Sequence, residues 1–391
     1  MTRRIHHPPL SVGLLLMLAL VCTPHFLKAQ HKVPGVVIQH SPTETEIYLG
    51  APSIVIMEDG SYIASHQHFG PGSNSRQSGR TAIYRSTDRG RTWEKLTELR
   101  DAHWSKLFVF RGNLYLMGTN RVYGDLVIRK SSDQGETWTE PTDRENGLLR
   151  TDHQYHTAPV PLVIHNGRIF RAIEDRYPPE KWGVNFRAMV ISAPLDADLL
   201  NAASWTISNR LRYNQDWAGS AWLEGNMVVT PDGELVNILR NHYLPEGGRA
   251  CVTQVSPYGE RISFDEENGF IDFPGGCKKF TIRYDAVSGR YYALSNYIPP
   301  KFKGHNPERT RNTLALVSSE DLRNWKVNKI ILQHPNVEHV GFQYADWQFD
   351  GDDLVAVIRT AYPEPDGTHA NNCHDANYFI FYRVEDFREG D

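Results

Sequence analysis

A glutamate, an arginine and a histidine carry the first suggestion of chemistry in this chain. Glu224 and Arg240 stand at the two ends of one hairpin-like stretch, Trp222-Leu-Glu224-Gly-Asn-Met-Val-Val-Thr-Pro-Asp-Gly233-Glu-Leu-Val-Asn-Ile-Leu-Arg240. Two charges at the inner ends of paired strands are costly unless they are paired or used. His156 precedes another such hairpin and could move a proton near neutral pH. Glu174 and Asp175 follow it, and Glu224 with Asp175 would make a carboxylate pair for acid–base work.

Corresponding hairpin ends elsewhere add aromatic, amide and basic groups. They are His66 and His68, Trp104 and Asn120, Asn226 and His242, Lys279 and Asn296, then Gln343, Tyr344, Asp346 and Arg359. Such a mixture suits a sugar acid: rings stack on apolar sugar faces and cations hold the carboxylate. The expected substrate-binding set is Arg240, His242, Lys279, Arg359, Tyr344, Gln343, Trp104, Asn120 and His66. Each also has a plainer reading, as a core aromatic, a hydrogen-bonded structural histidine or a salt-bridged surface group.

These groups need a scaffold that brings hairpin ends together, and repeats supply it. Ser86-Thr-Asp88-Arg-Gly90-Arg-Thr92-Trp93 and Ser131-Ser-Asp133-Gln-Gly135-Glu-Thr137-Trp138 both fit S-x-D-x-G-x-T-W. A worn copy, Ser318-Ser-Glu320-Asp-Leu-Arg-Asn324-Trp325, and the stump Ser204-Trp205 extend the series. Ser and Asp satisfy backbone donors in a tight turn, Gly takes the left-handed position, and Trp plugs between neighbouring sheets. Hairpin turns recur at Glu58-Asp-Gly60, Arg111-Gly-Asn113, His165-Asn-Gly167, Pro231-Asp-Gly233, Asp285 to Gly289 and Asp350-Gly-Asp352, flanked by strand formers. The expectation is an all-β fold: a propeller of six four-stranded antiparallel blades. A seventh is left open by residues 175–222. The last unit lacks an outer strand that Val33 to Gln39 could supply, closing the ring and removing open sheet edges.

These octamers and the Glu224–Arg240 hairpin resemble the sialidase superfamily. That resemblance implies that Glu224 assists a tyrosine nucleophile and that Arg240 is one of three arginines on the substrate carboxylate. The chain departs from the pattern at Leu49-Gly-Ala-Pro-Ser-Ile54, which lacks the arginine of blade one. It departs again at Gly70-Pro-Gly-Ser-Asn-Ser-Arg-Gln77, which lacks the acid-catalyst aspartate. The stretches starting at Tyr155-His156 and at Gly341-Phe-Gln343-Tyr344 are similar to sialidase-like α-L-rhamnosidases and ulvan lyases of polysaccharide-degrading bacteria. In those lyases a histidine at position 156 and an arginine at 240 neutralise the uronate. In the rhamnosidase branch a histidine on the other face acts, and His40 is its candidate counterpart.

The expected function is an exo-acting glycoside hydrolase on an acidic, uronate-containing polysaccharide of the rhamnosyl-glucuronate type. A lyase with Tyr155, Tyr243 or Tyr344 as base, and a glycan-binding propeller without turnover, are the alternatives. A net charge of -4 argues against nucleic acid as partner. Arg3 and Arg4, the apolar run Leu10 to Cys22 and Lys28-Ala29-Gln30 read as an export signal over 1–30, with a lipoprotein anchored at Cys22 as the alternative. The rest, 31–391, reads as one secreted or periplasmic propeller domain, monomeric and without a membrane span. Cys251, Cys277 and Cys373 remain after the signal; Cys251 and Cys277 could pair, or all three are buried apolar groups. His369, Cys373, His374 and Asp375 fit no standard zinc spacing, so no metal and no cofactor is expected.

Overall fold

The computed structural model describes residues 1–2, 32–179 and 181–389, so the export signal expected over 1–30 lies, but for its first two residues, outside the described part. Strands dominate from Val36 onward, and six separate antiparallel sheets form. Blade one is Tyr48–Ile56, Tyr62–Phe69, Arg80–Ser86 and Glu94–Arg100, each strand pairing with the next in sequence. Blades two, four and five repeat this meander from inner strands His103–Phe110, Trp222–Val229 and Thr281–Asp285. In blade three the inner strand is broken into Gln154–His156 and Val163–His165. Residues 175–222 complete blade three with Phe186–Pro194 and two short outer strands, so the ring has six blades.

Blade six is Gly341–Asp350, Asp353–Ala361 and Tyr378–Val384, and its outer strand is Val36–His40 from the other end of the chain. Val36 pairs with Phe381 and His40 with Tyr378, which ties the ring shut. His40 stacks on Tyr378 and donates towards Glu364 at 2.7 Å, a structural pairing at this seam.

The apolar cores lie between blades. Ile54, Tyr62 and Ala82 of blade one meet Val355, Val357 and Phe381 of blade six, and five similar clusters fill the other junctions. The octamers act as wedges there. In the first, Gly90 N–H donates to Ser86 Oγ at 2.8 Å and Thr92 N–H to Asp88 at 2.9 Å, while Trp93 reaches the Phe381 ring at 5.6 Å. The second copy makes the same bonds from Ser131, Asp133 and Thr137. In the worn copy the polar pair is shifted by one residue: Ser319 and Asp321 hold the turn, not Ser318 and Glu320. Leu322 there takes the left-handed conformation that Gly90 and Gly135 adopt, at φ 62°. Cys251, Cys277 and Cys373 are free and buried. Among the described residues no helix is long and apolar enough to cross a membrane.

Removing residues 32–40 bares the edge of Tyr378–Val384, so it should lower the unfolding free energy by at least about 2 kcal/mol from lost apolar burial and promote self-association through the open edge. Urea denaturation and light scattering of the truncated chain check this.

Candidate active site

Four inner strands break register at the same depth: between Gly50 and Ser53, His103 and Lys106, Leu223 and Asn226, and Gln343 and Asp346. One residue in each break turns left-handed: Ala51 at φ 46°, Trp104 at 46°, Glu224 at 56° and Tyr344 at 56°. A bulge re-aims the extra residue, and a left-handed non-glycine residue costs about 1–3 kcal/mol that its surroundings must offset. All four residues line one cavity of about 840 Å³ at the axis of the ring.

The surroundings that offset this cost lie just beneath. Two residues after the bulge, a side chain accepts the backbone N–H of the following blade. Ser53 accepts from Leu107 at 3.0 Å, Asn226 from Ile282 at 2.9 Å and Asp346 from Ile54 at 2.9 Å. Asp346 also pairs with buried Lys106 and faces Arg283 at 3.6 Å. Burial raises the Asp346 carboxyl, but Lys106, Arg283 and Lys279 together hold it below the usual range.

Above this floor, the Tyr344 hydroxyl donates to Glu224 Oε1 at 3.0 Å, and Arg240 Nη1 donates to Glu224 Oε2 at 2.8 Å. Burial works to raise Glu224; the charges of Arg240 and His156 and these hydrogen bonds outweigh it, so the carboxyl is held low and ionised. Arg240 is fully engaged, since Nη2 meets Glu308 at 3.4 Å and Nε donates to the Cys277 carbonyl at 2.7 Å.

Two further guanidiniums flank Tyr344. Arg359 lies 4.9 Å and Arg311 5.7 Å from its ring centroid. Arg311 donates to Gln343 Oε1 at 2.6 Å and to the Glu308 carbonyl at 2.8 Å; Arg359 donates to the His374 carbonyl at 2.6 Å. Among the described residues neither makes an ion pair with a carboxylate, and Arg359 Nε is buried without a partner. Burial pulls Arg359 down to about 10. Among the described residues no carboxylate touches these two adjacent buried guanidiniums, although Glu308 acts on Arg311 and Asp375 and Glu224 on Arg359, an arrangement that suits an anion.

The walls are aromatic and acid–base. His156 Nδ1 lies 2.9 Å from Glu174, its cross-strand partner, and the ring sits 4.5 Å from Trp104 and 4.8 Å from Phe186. His242 pairs with Glu308 at 3.2 Å and packs on Trp182 at 5.3 Å. The hydrogen bond from His242, working against burial, and the charges of Arg240 and Arg311 bring Glu308 down to about 2.

Of the expected site residues, Glu224, His156, Arg240, His242, Arg359, Tyr344 and Trp104 meet in this cavity. Asp175 does not: successive strand residues face opposite sides. It is Glu174 that meets His156, while Asp175 is clamped by Arg187 at 2.6 Å and Arg210 at 2.7 Å. Lys279 lies under the floor, donating to Thr281 Oγ1 at 2.6 Å and the Ala345 carbonyl at 2.9 Å, and burial pulls it down to about 7. Gln343 stands behind Arg311 rather than in the cavity. Asn120 is spent on Asp125 at 3.0 Å, and His66, fully buried against Tyr84, is lowered by burial to about 3. Tyr155 and Tyr243 do not line the cavity. Arg311, Glu308 and Trp182 were not anticipated. They enter from loops between second and third strands, whereas the reading above followed hairpin ends.

No protein-family model and no curated protein matches the chain. Solved structures do. A Hadza microbial sialidase, Hz136, aligns over 90% of this chain and 68% of its own, at 14% identity and a TM-score of 0.60. A Penicillium chrysogenum α-L-arabinanase complexed with arabinobiose aligns over 91% and 99%, at 14% identity and a TM-score of 0.54. The fold is that of the sialidase-like propellers. A third such propeller, the Trypanosoma rangeli sialidase in complex with 2,3-difluorosialic acid, aligns over 86% of this chain and 54% of its own, at 14% identity and a TM-score of 0.53. At these identities the likeness is one of fold, so the roles of individual side chains in this sialidase-like propeller rest on their own geometry.

Arg240→Met leaves Glu224 buried without its counter-ion and should cost about 3–5 kcal/mol in urea unfolding, with much of the loss recovered in Glu224→Leu/Arg240→Met. Glu224 and Glu308 are both depressed, so their stabilisation is complete above the ordinary glutamate value of 4.5 and lost as pH falls, towards about 2 for Glu308. Thermal melting midpoints should therefore fall from pH 5 to pH 2.5, and by less in Glu308→Gln.

Proposed function

We propose that this protein is an exo-acting glycoside hydrolase that removes a terminal sugar next to a carboxylate, with Tyr344 as nucleophile. The observation that carries this reading is the Tyr344 hydroxyl donating to an ionised, buried Glu224 at 3.0 Å. A phenol is a weak nucleophile until an adjacent base takes its proton. Glu224 is that base, and Arg240 balances its charge throughout. Arg311 and Arg359 would hold the carboxylate, while Trp104 and Trp182 offer apolar faces to the sugar rings.

The position of the arginines bears on the substrate. They bracket the attacking ring, not the cavity mouth, so the carboxylate they hold lies beside the reacting carbon. A carboxylate nucleophile would be repelled there; a neutral phenol with its base behind it is not. This favours a carboxylate on the sugar attacked. The rhamnosyl-glucuronate cap is the second reading, in which the carboxylate belongs to the departing uronate and lies within reach of the same two guanidiniums. Fold neighbours with sugar chemistry support the hydrolase class: one is an arabinanase, and another was captured as a covalent intermediate with a fluorinated sialic acid. Export by residues 1–30 belongs to the same proposal, since such a substrate lies outside the cell.

Purified protein, supplied with aryl glycosides of terminal sugar acids and with rhamnosyl-glucuronate oligosaccharides, should release the terminal sugar with net retention in proton NMR, as a two-step displacement requires. Glu224→Gln should lower kcat by about 10²–10⁴-fold. An unsaturated uronate product absorbing in the ultraviolet, or tight binding without turnover that Glu224→Gln leaves unchanged, would contradict the proposal.

A further inference from the structure

A retaining cleavage also needs a proton donor for the leaving oxygen, and the cavity limits the choice. Its lining carboxylates are Glu224, already the base, and Glu308, held at about 2 and spent on His242 and Arg240. The loop of residues 70–79 over the cavity contributes Asn74, Arg76 and Gln77 but carries no carboxylate. The imidazoles remain. His103 is fully buried and burial lowers it to about 3, and His374, lowered to about 3 by burial and Arg359, is paired with Asp375 at 2.8 Å. His242 uses both ring nitrogens, on Ser220 at 2.8 Å and Glu308 at 3.2 Å.

His156 differs from all three. Its Nδ1–H donates to Glu174, whose side chain is wholly buried, and among the described residues Nε2 has no protein partner. The second Glu174 oxygen is buried without a hydrogen-bond partner, and the buried Arg171 guanidinium also feels this carboxylate's charge. The titratable groups around the ring are Glu174 from the second strand of its own blade, Glu224 from blade four and neutral His103 from blade two. Its other neighbours are Trp104, Tyr123 and Phe186.

We infer that His156, oriented by Glu174, is the general acid and base of the glycosidase reaction, standing in for the carboxylic acid this cavity lacks. The inference rests on the reading of Tyr344 as nucleophile. In the first half, Tyr344 Oη bonds to the anomeric carbon as its proton passes to Glu224. The glycosidic C–O bond breaks, its electron pair stays on the leaving oxygen, and that oxygen takes the Nε2 proton of His156. In the second half, neutral His156 accepts a proton from water as the water oxygen bonds to the anomeric carbon. The Tyr344–carbon bond breaks, and the phenol recovers its proton from Glu224. Glu174 is a positioning residue: it fixes which nitrogen faces the substrate and holds the positive charge.

The test uses the leaving group. His156→Ala should lose about 10²–10⁴-fold in kcat/KM on an alkyl glycoside but change by less than about tenfold on a 4-nitrophenyl glycoside of the same sugar, whose departure needs no proton. Retained aryl cleavage also shows that the variant is folded. Glu174→Gln removes the negative charge against Nδ1, so with His156 as the acid the alkaline limb of the kcat–pH profile should move to lower pH. Equal losses on both leaving groups in His156→Ala, or an unmoved alkaline limb in Glu174→Gln, would overturn the assignment of His156 while leaving Tyr344 in place. A wild-type protein inert on both glycosides, or cleaving them with Tyr344→Phe at full rate, would overturn the nucleophile reading and this inference with it.

Discussion

Beneath the cavity one carboxylate is shared by several blades. Asp346 accepts the Ile54 N–H and the Ser53 hydroxyl of blade one, pairs with Lys106 of blade two and faces Arg283 of blade five. Its side chain is 0% exposed, so removing its partners would strand a charge where water cannot reach it. Asp346 also lies two residues after Tyr344, on the same bulged strand. The conformation that aims Tyr344 into the cavity and the bonds that join the blades at the axis are therefore one arrangement. Blades one and four use the neutral counterparts Ser53 and Asn226 in the same place.

From that floor the charges of the cavity separate into two kinds. Glu224 and Arg240 neutralise each other, and Glu308 closes the set with His242. These groups are satisfied before any ligand arrives, which suits a base that must keep its geometry. Arg311 and Arg359 are held only by carbonyl and amide oxygens. Carboxylates act on them without touching them, Glu308 on Arg311 and Asp375 and Glu224 on Arg359. On the proposed reading, these two guanidiniums take the substrate carboxylate beside the Tyr344 phenol.

The architecture was legible in the sequence because turns are local. The octamers at 86–93 and 131–138 and the Asp-Gly hairpins state the strand breaks directly, and the missing outer strand of blade six predicts closure by residues 33–39. Glu224 and Arg240 were legible for the same reason, as two charges on one hairpin. Asp175 was misplaced because a single residue of register decides which face a side chain takes, and two adjacent acids give the sequence no way to choose. Lys279 read as a rim cation, yet it stands two residues before an inner strand and points under the floor. Arg311 and Trp182 were invisible: long loops bring them in, and no periodicity marks the residue of a loop that turns inward. The absence of an arginine from Leu49 to Ile54 was readable, and the structure puts Ala51 of that stretch in the cavity wall with Trp104 and Tyr344.

The central claim is that the Tyr344 oxygen bonds to the sugar, and trapping tests it most directly. The wild-type protein would be incubated with a fluorinated, activated sugar acid that forms the glycosyl-enzyme rapidly and hydrolyses slowly, then digested and sequenced by mass spectrometry. The account expects one added sugar mass, on the phenol of Tyr344, that appears in Glu174→Gln and is absent from Tyr344→Phe. A sugar attached to another side chain, or turnover with inversion and no adduct at all, would contradict it.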